Sequence, residues 1–290
     1  MVFTESCSME TFDVSATIAQ LFIHPIKSCA GVEVCEVLLT PTGLQYDRHW
    51  LLVDATGRFV TQRELARMVL IQPSIDATDL IVNAPNMSEF KIALDARGDE
   101  VSVQIWDDVV SAFDLGDAAG AWFSEFLGQT VRLVRFNPDK PRLCSTKWSG
   151  GVQADTQFAD GYPILVTTTA AVDELNQKLN DKHFAPVNQT RFRPNIVLAD
   201  LPAHDEDLLD VLHIDEAQLK ICKPCERCPI PSIDPATAVY QPEAVSDTIQ
   251  TYRADARLDG AITFGMNAIV LQGAGQMLRV GQGVAANYVF

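Results

Sequence analysis

Short β-prone runs separated by turn-forming clusters restrict this chain to a sheet-dominated fold. Residues 16–23 (ATIAQLFI), 32–39 (VEVCEVLL), 49–54 (HWLLVD) and 58–61 (RFVT) are rich in branched and aromatic side chains and short enough to be strands. Pro41-Thr42-Gly43 and Ala55-Thr56-Gly57 supply turns between the later runs. This spacing predicts a small antiparallel meander. Further strands are expected at 79–83, 89–93, 100–106 and 131–136, with one amphipathic helix over 117–127, where Trp122, Phe123, Phe126 and Leu127 share a face. Residues 14–136 therefore read as a β-rich N-terminal domain.

A polar, proline-punctuated stretch starting at Asn137 marks the boundary with a second domain at 137–290. That half alternates strands at 164–168, 195–199, 217–222, 267–272 and 276–280 with helices at 170–180 and 242–252. His204 to Glu216 reads as an acidic, solvated loop face. With 290 residues, 47% of them hydrophobic, the chain can bury one large core or two ordinary ones. A net charge of −16 disfavours non-specific nucleic-acid binding, which needs a Lys and Arg surplus on some face. The N-terminal residues lack a signal-peptide pattern, and no apolar run approaches the ~20 residues of a membrane span, so a cytoplasmic monomer free of the membrane is expected.

Cys222, Cys225 and Cys228 fall within seven residues, followed by Pro229 and by Asp234-Pro235. With Cys7, Cys29, Cys35 and Cys144 they make an odd number, which argues for reduced thiols rather than a disulfide framework. Neighbouring Lys223 and Arg227 are expected to favour the thiolate form. A structural zinc would need a fourth ligand and a second ligand pair, which the sequence lacks. An iron–sulfur cluster would have to recruit the distant Cys144. One cysteine binding a metal already held by an organic cofactor, or three small buried residues with no metal, complete the alternatives.

Cations recur at strand ends. Lys27 lies in His24-Pro25-Ile26-Lys27-Ser28, Arg48 in Tyr46-Asp47-Arg48-His49-Trp50, and Arg193 in Arg191-Phe192-Arg193-Pro194-Asn195, where the proline fixes extended backbone. Three such junctions can converge on one anion, for which the arginine fork suits phosphate.

These segments, with Asp160-Gly161-Tyr162-Pro163, FRPNIVL at 192–198 and CERCPIPSIDPATA at 225–238, occur in an order that resembles the MOSC-domain proteins over nearly the whole chain. Within them the chain is most similar to the mitochondrial amidoxime-reducing components and the bacterial YcbX-type proteins. The resemblance implies an α+β, β-rich fold, in which an N-terminal β-barrel-like domain precedes a MOSC β-barrel domain with flanking helices. It implies a molybdenum–molybdopterin cofactor between the domains, with Cys228 as metal ligand and catalytic centre. Lys27, Ser28 and Arg48 match positions that hold the cofactor from one side, Arg193 and Asn195 from the other. Asp160, Gly161 and Tyr162 match a loop that approaches it, with Gly161 and Tyr162 replacing hydroxyl residues, so that backbone contacts are expected. Glu226 and Arg227 are expected to contact the cofactor through their backbone. Cys222 and Cys225 then have no obligatory role beyond packing or a sulfur relay.

The implied activity is reduction of N-hydroxylated compounds such as amidoximes, hydroxylamines and N-hydroxylated bases, with Asp234 and Arg253 as candidates for proton delivery. The alternative is a cofactor carrier or sulfur-transfer protein, although the pyridoxal-phosphate desulfurase domain of the sulfurases is not expected here. Gly281-Gln282-Gly283-Val284-Ala285-Ala286 leaves no room for the helix of a dinucleotide site, so electrons are expected from a separate ferredoxin, flavodoxin or flavoprotein reductase.

Overall fold

The structure, a computed structural model, describes residues 11–289; Cys7 lies outside them. Its larger unit is a closed barrel of seven strands. In spatial order these are Ile164–Thr168, Ile196–Ala199, Val14–Ile23, Gly283–Ala286, Val211–Ile214, Ala217–Glu226 and Ala261–Gln272, the last pairing back onto the first. Closure removes the exposed edges that an open sheet would present. Alternation along each strand sends Ile18, Leu198, Leu212, Leu219 and Ala268 into one core, all fully buried.

This pairing replaces most of the expected N-terminal meander. Val14–Ile23 is a stave of the C-terminal barrel, antiparallel to both Ile196–Ala199 and Gly283–Ala286. Of the remaining early runs, Val32–Val34 pairs antiparallel with residues 21–23 as a meander would, and the others go elsewhere. Glu36–Thr40 pairs with Met277–Arg279, Trp50–Val53 with Arg132–Phe136, and 58–61 makes only isolated bridges. Local β propensity cannot specify such distant partners. The boundary at 136/137 falls between sheets, but residues 14–23 belong structurally with the second half.

The rest of the first half forms an open half-barrel from a four-stranded sheet (50–53, 132–136, 108–114, 100–105) and a three-stranded one (72–75, 79–83, 90–93). Helix α1, Asp117–Leu127, packs Trp122, Phe123 and Phe126 against Trp50, Leu52 and Leu133 and ends at Gly128, whose φ of 69° suits a left-handed C-cap. Helices α2, Thr169–Asp181, and α3, Val245–Gln250, flank the barrel. The Thr168 side chain caps α2 by accepting from the Ala171 amide at 3.2 Å.

The acidic stretch 204–216 is not a solvated loop. It contains a short 3-10 helix, Asp205–Leu208, and the barrel strand Val211–Ile214, and it buries Glu206 completely. The acidic composition is misleading because only alternate side chains of the strand face water. Likewise Gly283–Ala286 is a barrel stave. Among the described residues no helix is long and apolar enough to cross a membrane.

Candidate functional site

Between the half-barrel and the barrel lies a cavity of about 560 Å³. Its walls bring together Lys27, Ser28 and Arg48 from the first half with Asp160, Gly161, Tyr162, Arg193, Asn195, Glu226, Arg227 and Cys228 from the second. Every residue that the sequence put forward for cofactor contact lies on this one surface.

The cationic junctions are held rigidly. Lys27, buried at 6% exposure, donates from Nζ to the Phe158 carbonyl and to Asp160 Oδ1, each at 2.7 Å. Arg48 Nη1 is clamped by the Asp47 carboxylate at 2.7 Å and by Asn195 Oδ1 at 3.1 Å, while Nη2 donates to the Arg193 carbonyl at 3.1 Å. Asn195 accepts from the Leu165 amide and donates to the Phe22 carbonyl, pinning the junction to the barrel. Ser28, Arg48 and Arg193 all adopt left-handed backbone, at φ 66°, 48° and 57°. Non-glycine residues enter that region at a cost, and such outliers concentrate where a site over-determines the backbone.

Arg193 carries the clearest signature of a ligand. Its Nη1 donates to the Cys29 carbonyl, but Nη2 is buried without a partner. Burial, and then the neighbouring Arg48 cation, pull the Arg193 pKa down to about 10. An unpartnered buried guanidinium nitrogen is unfavourable until an acceptor arrives. The wider lining agrees. In a chain of net charge −16 it carries Arg63, Arg191, Lys223 and Arg227 besides Lys27, Arg48 and Arg193, against only Asp160 and Glu226. An anion fits this cavity.

The cysteine cluster separates into different environments. Strand Ala217–Glu226 carries Cys222 to the outside of the cavity, where it packs with Cys144, Tyr162 and Ile269. Cys225 and Cys228 line the cavity, Cys228 half-buried just beyond the strand end. The expected activation by neighbouring cations does not hold for Cys222 and Cys225. Burial pushes Cys222 up to about 11 and also raises Cys225. Arg227 is used instead by the Phe264 and Phe192 carbonyls, and Lys223 pairs with Glu226. Among the described residues no group of three or more His, Cys, Asp and Glu side chains is placed to hold a metal ion. The zinc and iron–sulfur alternatives therefore lack their protein ligands, whereas a soft metal that brings its own sulfur donors needs only Cys228.

Asp234 and Arg253 are placed elsewhere. Asp234 closes its own turn by accepting from the Ala236 and Thr237 amides and takes Arg191 Nη2 at 2.8 Å; Arg253 pairs with Asp207 at 2.6 Å. Neither lines the cavity, so proton delivery by their carboxylate or guanidinium does not follow. The Tyr162 hydroxyl donates to the Ser145 carbonyl at 2.9 Å, so Gly161 and Tyr162 offer the cavity backbone groups. Sequence reading missed Thr61, Arg63, Trp106 and Asn267 in the lining. Trp106 had a signal in the Trp-Asp-Asp run, but strand Asp108–Asp114, which turns it into a hairpin tip, went unread.

The chain matches the MOSC N-terminal beta barrel domain over residues 15–130 and the MOSC domain over 153–285. It is 34% identical over 245 residues to mitochondrial amidoxime-reducing component 1 of Danio rerio, spanning 81% of this chain and 74% of that protein. Against mitochondrial amidoxime-reducing component 1 of Homo sapiens the identity is 32% over 248 residues, with 82% and 72% covered. Mitochondrial amidoxime reducing component 2 of Homo sapiens gives 32% over 246 residues, with the same coverage.

Proposed function

We infer, because this chain belongs to the MOSC-domain family that includes the amidoxime-reducing components, that it is a molybdenum-cofactor reductase of N-hydroxylated compounds. The observation that carries the reading is the pairing of Cys228 with the unpartnered Arg193 Nη2 on one cation-rich cavity. A soft donor and an oxyanion donor are what a phosphate-bearing pterin dithiolene would require of the protein.

When bound, the cofactor supplies the two-electron chemistry that removes oxygen from nitrogen. The protein contributes the rest. Cys228 supplies the protein thiolate to the metal. Arg193, backed by Arg48, and the Lys27 ammonium present charge-assisted donors to the phosphate, and their rigid junctions lower the entropy lost on binding. Asp160 to Tyr162 offers backbone groups along one side, and Glu226 and Arg227 do so beside the ligand. Electrons arrive from a separate redox protein. A sulfur relay through Cys225 is disfavoured by the burial that keeps its thiol protonated.

Protein made in a host that synthesises the cofactor should carry near-stoichiometric molybdenum and convert benzamidoxime to benzamidine with a chemical reductant. Cys228→Ala should lower both by at least about tenfold, as removal of a metal ligand does. Unchanged molybdenum in that variant would refute the ligand assignment. Release of cofactor to an apo-enzyme without turnover would instead favour the carrier.

A further inference from the structure

Of the cations lining the cavity, one is left over. Lys27, Arg48, Arg191 and Lys223 each face a carboxylate, and Arg227 is consumed by backbone carbonyls. Arg193 lies deep, where the cofactor phosphate would sit. Arg63 differs from all of these. It is exposed and, among the described residues, forms no ion pair and a single hydrogen bond, from Nε to Thr61 Oγ1 at 3.3 Å. Its guanidinium carbon lies 4.4 Å from the centre of the Trp106 ring. Stacking on an aromatic face positions a guanidinium while leaving its in-plane donors free.

Trp106 is itself held in an unusual way. It is the first residue of the two-residue connection between strands Glu100–Ile105 and Asp108–Asp114, with φ 53°. Glycine, asparagine and aspartate are the residues that tolerate this position, and a bulky aromatic there is strained. The ring is nevertheless fixed. Its Nε1 donates to Asp160 Oδ1 at 3.1 Å, and Phe59 packs beside it with centroids 5.1 Å apart. At 43% exposure it forms part of the cavity mouth rather than the core. A strained, exposed tryptophan tied to the site and carrying an unpaired guanidinium has no packing explanation, and strain of this kind marks a functional constraint.

We propose that Arg63, laid on Trp106, is a specificity-determining group that selects N-hydroxylated substrates bearing an oxyanion, a carboxylate or phosphate, remote from the N–O bond. This rests on the reductase reading above. Arg63 touches the substrate's oxyanion, and Trp106 is the positioning residue that keeps the guanidinium aimed into the mouth.

The test compares benzamidoxime with its para-carboxy and para-phosphono derivatives on the holoenzyme, and the two derivatives distinguish carboxylate from phosphate as the preferred group. Wild type should favour at least one charged derivative through KM. Arg63→Ala should lower the charged-over-neutral ratio of kcat/KM about two- to fivefold, the range for an exposed ion pair, with Arg63→Lys retaining part of it. Raising salt from about 0.05 M to about 0.5 M should erode the wild-type preference and leave the Arg63→Ala ratio flat. Trp106→Leu should reduce the ratio too, and the double variant should be no worse than the poorer single one. Equal kcat/KM for all three compounds in wild type, or loss of molybdenum from Arg63→Ala, would overturn the proposal, the latter by moving Arg63 into the cofactor cradle. If no amidoxime is reduced, the reductase reading fails instead. Calorimetric binding of the charged derivatives to wild type and Arg63→Ala then decides the Arg63 assignment, tighter binding to wild type supporting it and equal binding refuting it.

Discussion

Lys27 and Asp160 join the two halves of the chain through a contact of 2.7 Å between Nζ and Oδ1 in the cavity wall. Burial pulls the Lys27 pKa down, and Asp160 is the chief influence raising it again. Burial works against ionisation of Asp160, but the Lys27 ammonium outweighs it and holds the carboxyl well below the usual range. Asp160→Asn should therefore leave Lys27 with a carbonyl as its main partner and lower its pKa further. Because the Asp160 side chain is open to the cavity, the expected loss of stability is modest, about 1 kcal/mol, by urea denaturation near neutral pH.

Arg193→Met should separate binding from folding. Loss of the donor to the Cys29 carbonyl offsets relief of the unpartnered Nη2, so the apo-protein should change in stability by no more than about 1 kcal/mol. Cofactor retention after gel filtration should nevertheless fall at least about tenfold, the consequence of losing a charge-assisted donor. Paired melting curves and molybdenum analysis check both halves of this expectation.

Glu206 sets a pH dependence remote from the cavity. Burial, and then the neighbouring Asp207 carboxylate, push its pKa up to about 7. A carboxyl with a raised folded-state pKa favours the native state most fully below its unfolded value of about 4.3, and that contribution is lost as pH rises through about 7. Glu206→Gln should consequently stabilise the protein at pH 8 by on the order of 2 to 3 kcal/mol, with the difference shrinking towards pH 4. His49, whose pKa burial lowers to about 4, acts in the opposite sense. Its contribution is present above the unfolded value of about 6.5 and declines as pH falls towards about 4, so between about pH 4.5 and 6.5 the two groups work against each other, and Glu206→Gln should make denaturation midpoints rise with pH across that range.

Gly265 marks the seam where the barrel closes. Its φ is 76°, and a Cβ there would lie 2.6 Å from the Val166 carbonyl oxygen and 2.7 Å from Thr167 Cγ2. Gly265→Ala adds left-handed strain to a clash with backbone and should destabilise by about 3 kcal/mol in thermal or urea unfolding.

The legibility of the chain followed the range of its interactions. Helix α1 and the strands Asp79–Asn83 and Ile164–Thr168 lie where the residue pattern puts them, since a single face and local turns define them. Lys27, Arg48, Arg193 and Cys228 were visible as motifs, and their shared cavity gives those motifs a common physical setting. The partners of Val14–Ile23 were not visible, because hydrogen bonding to Gly283–Ala286 leaves no trace in either sequence segment. Arg63 and Trp106 escaped for a related reason: each is unremarkable until a hairpin and a loop lay one over the other.

The seating of Val14–Ile23 between Ile196–Ala199 and Gly283–Ala286 also governs assembly. Gly283–Ala286 is synthesised long after the Val14–Ile23 stave it pairs with, so the ring stays incomplete until two segments far apart in sequence meet, a topology that slows folding. A fragment cut at 137 would lack one stave and expose two raw edges, a template for sticking to its own copies.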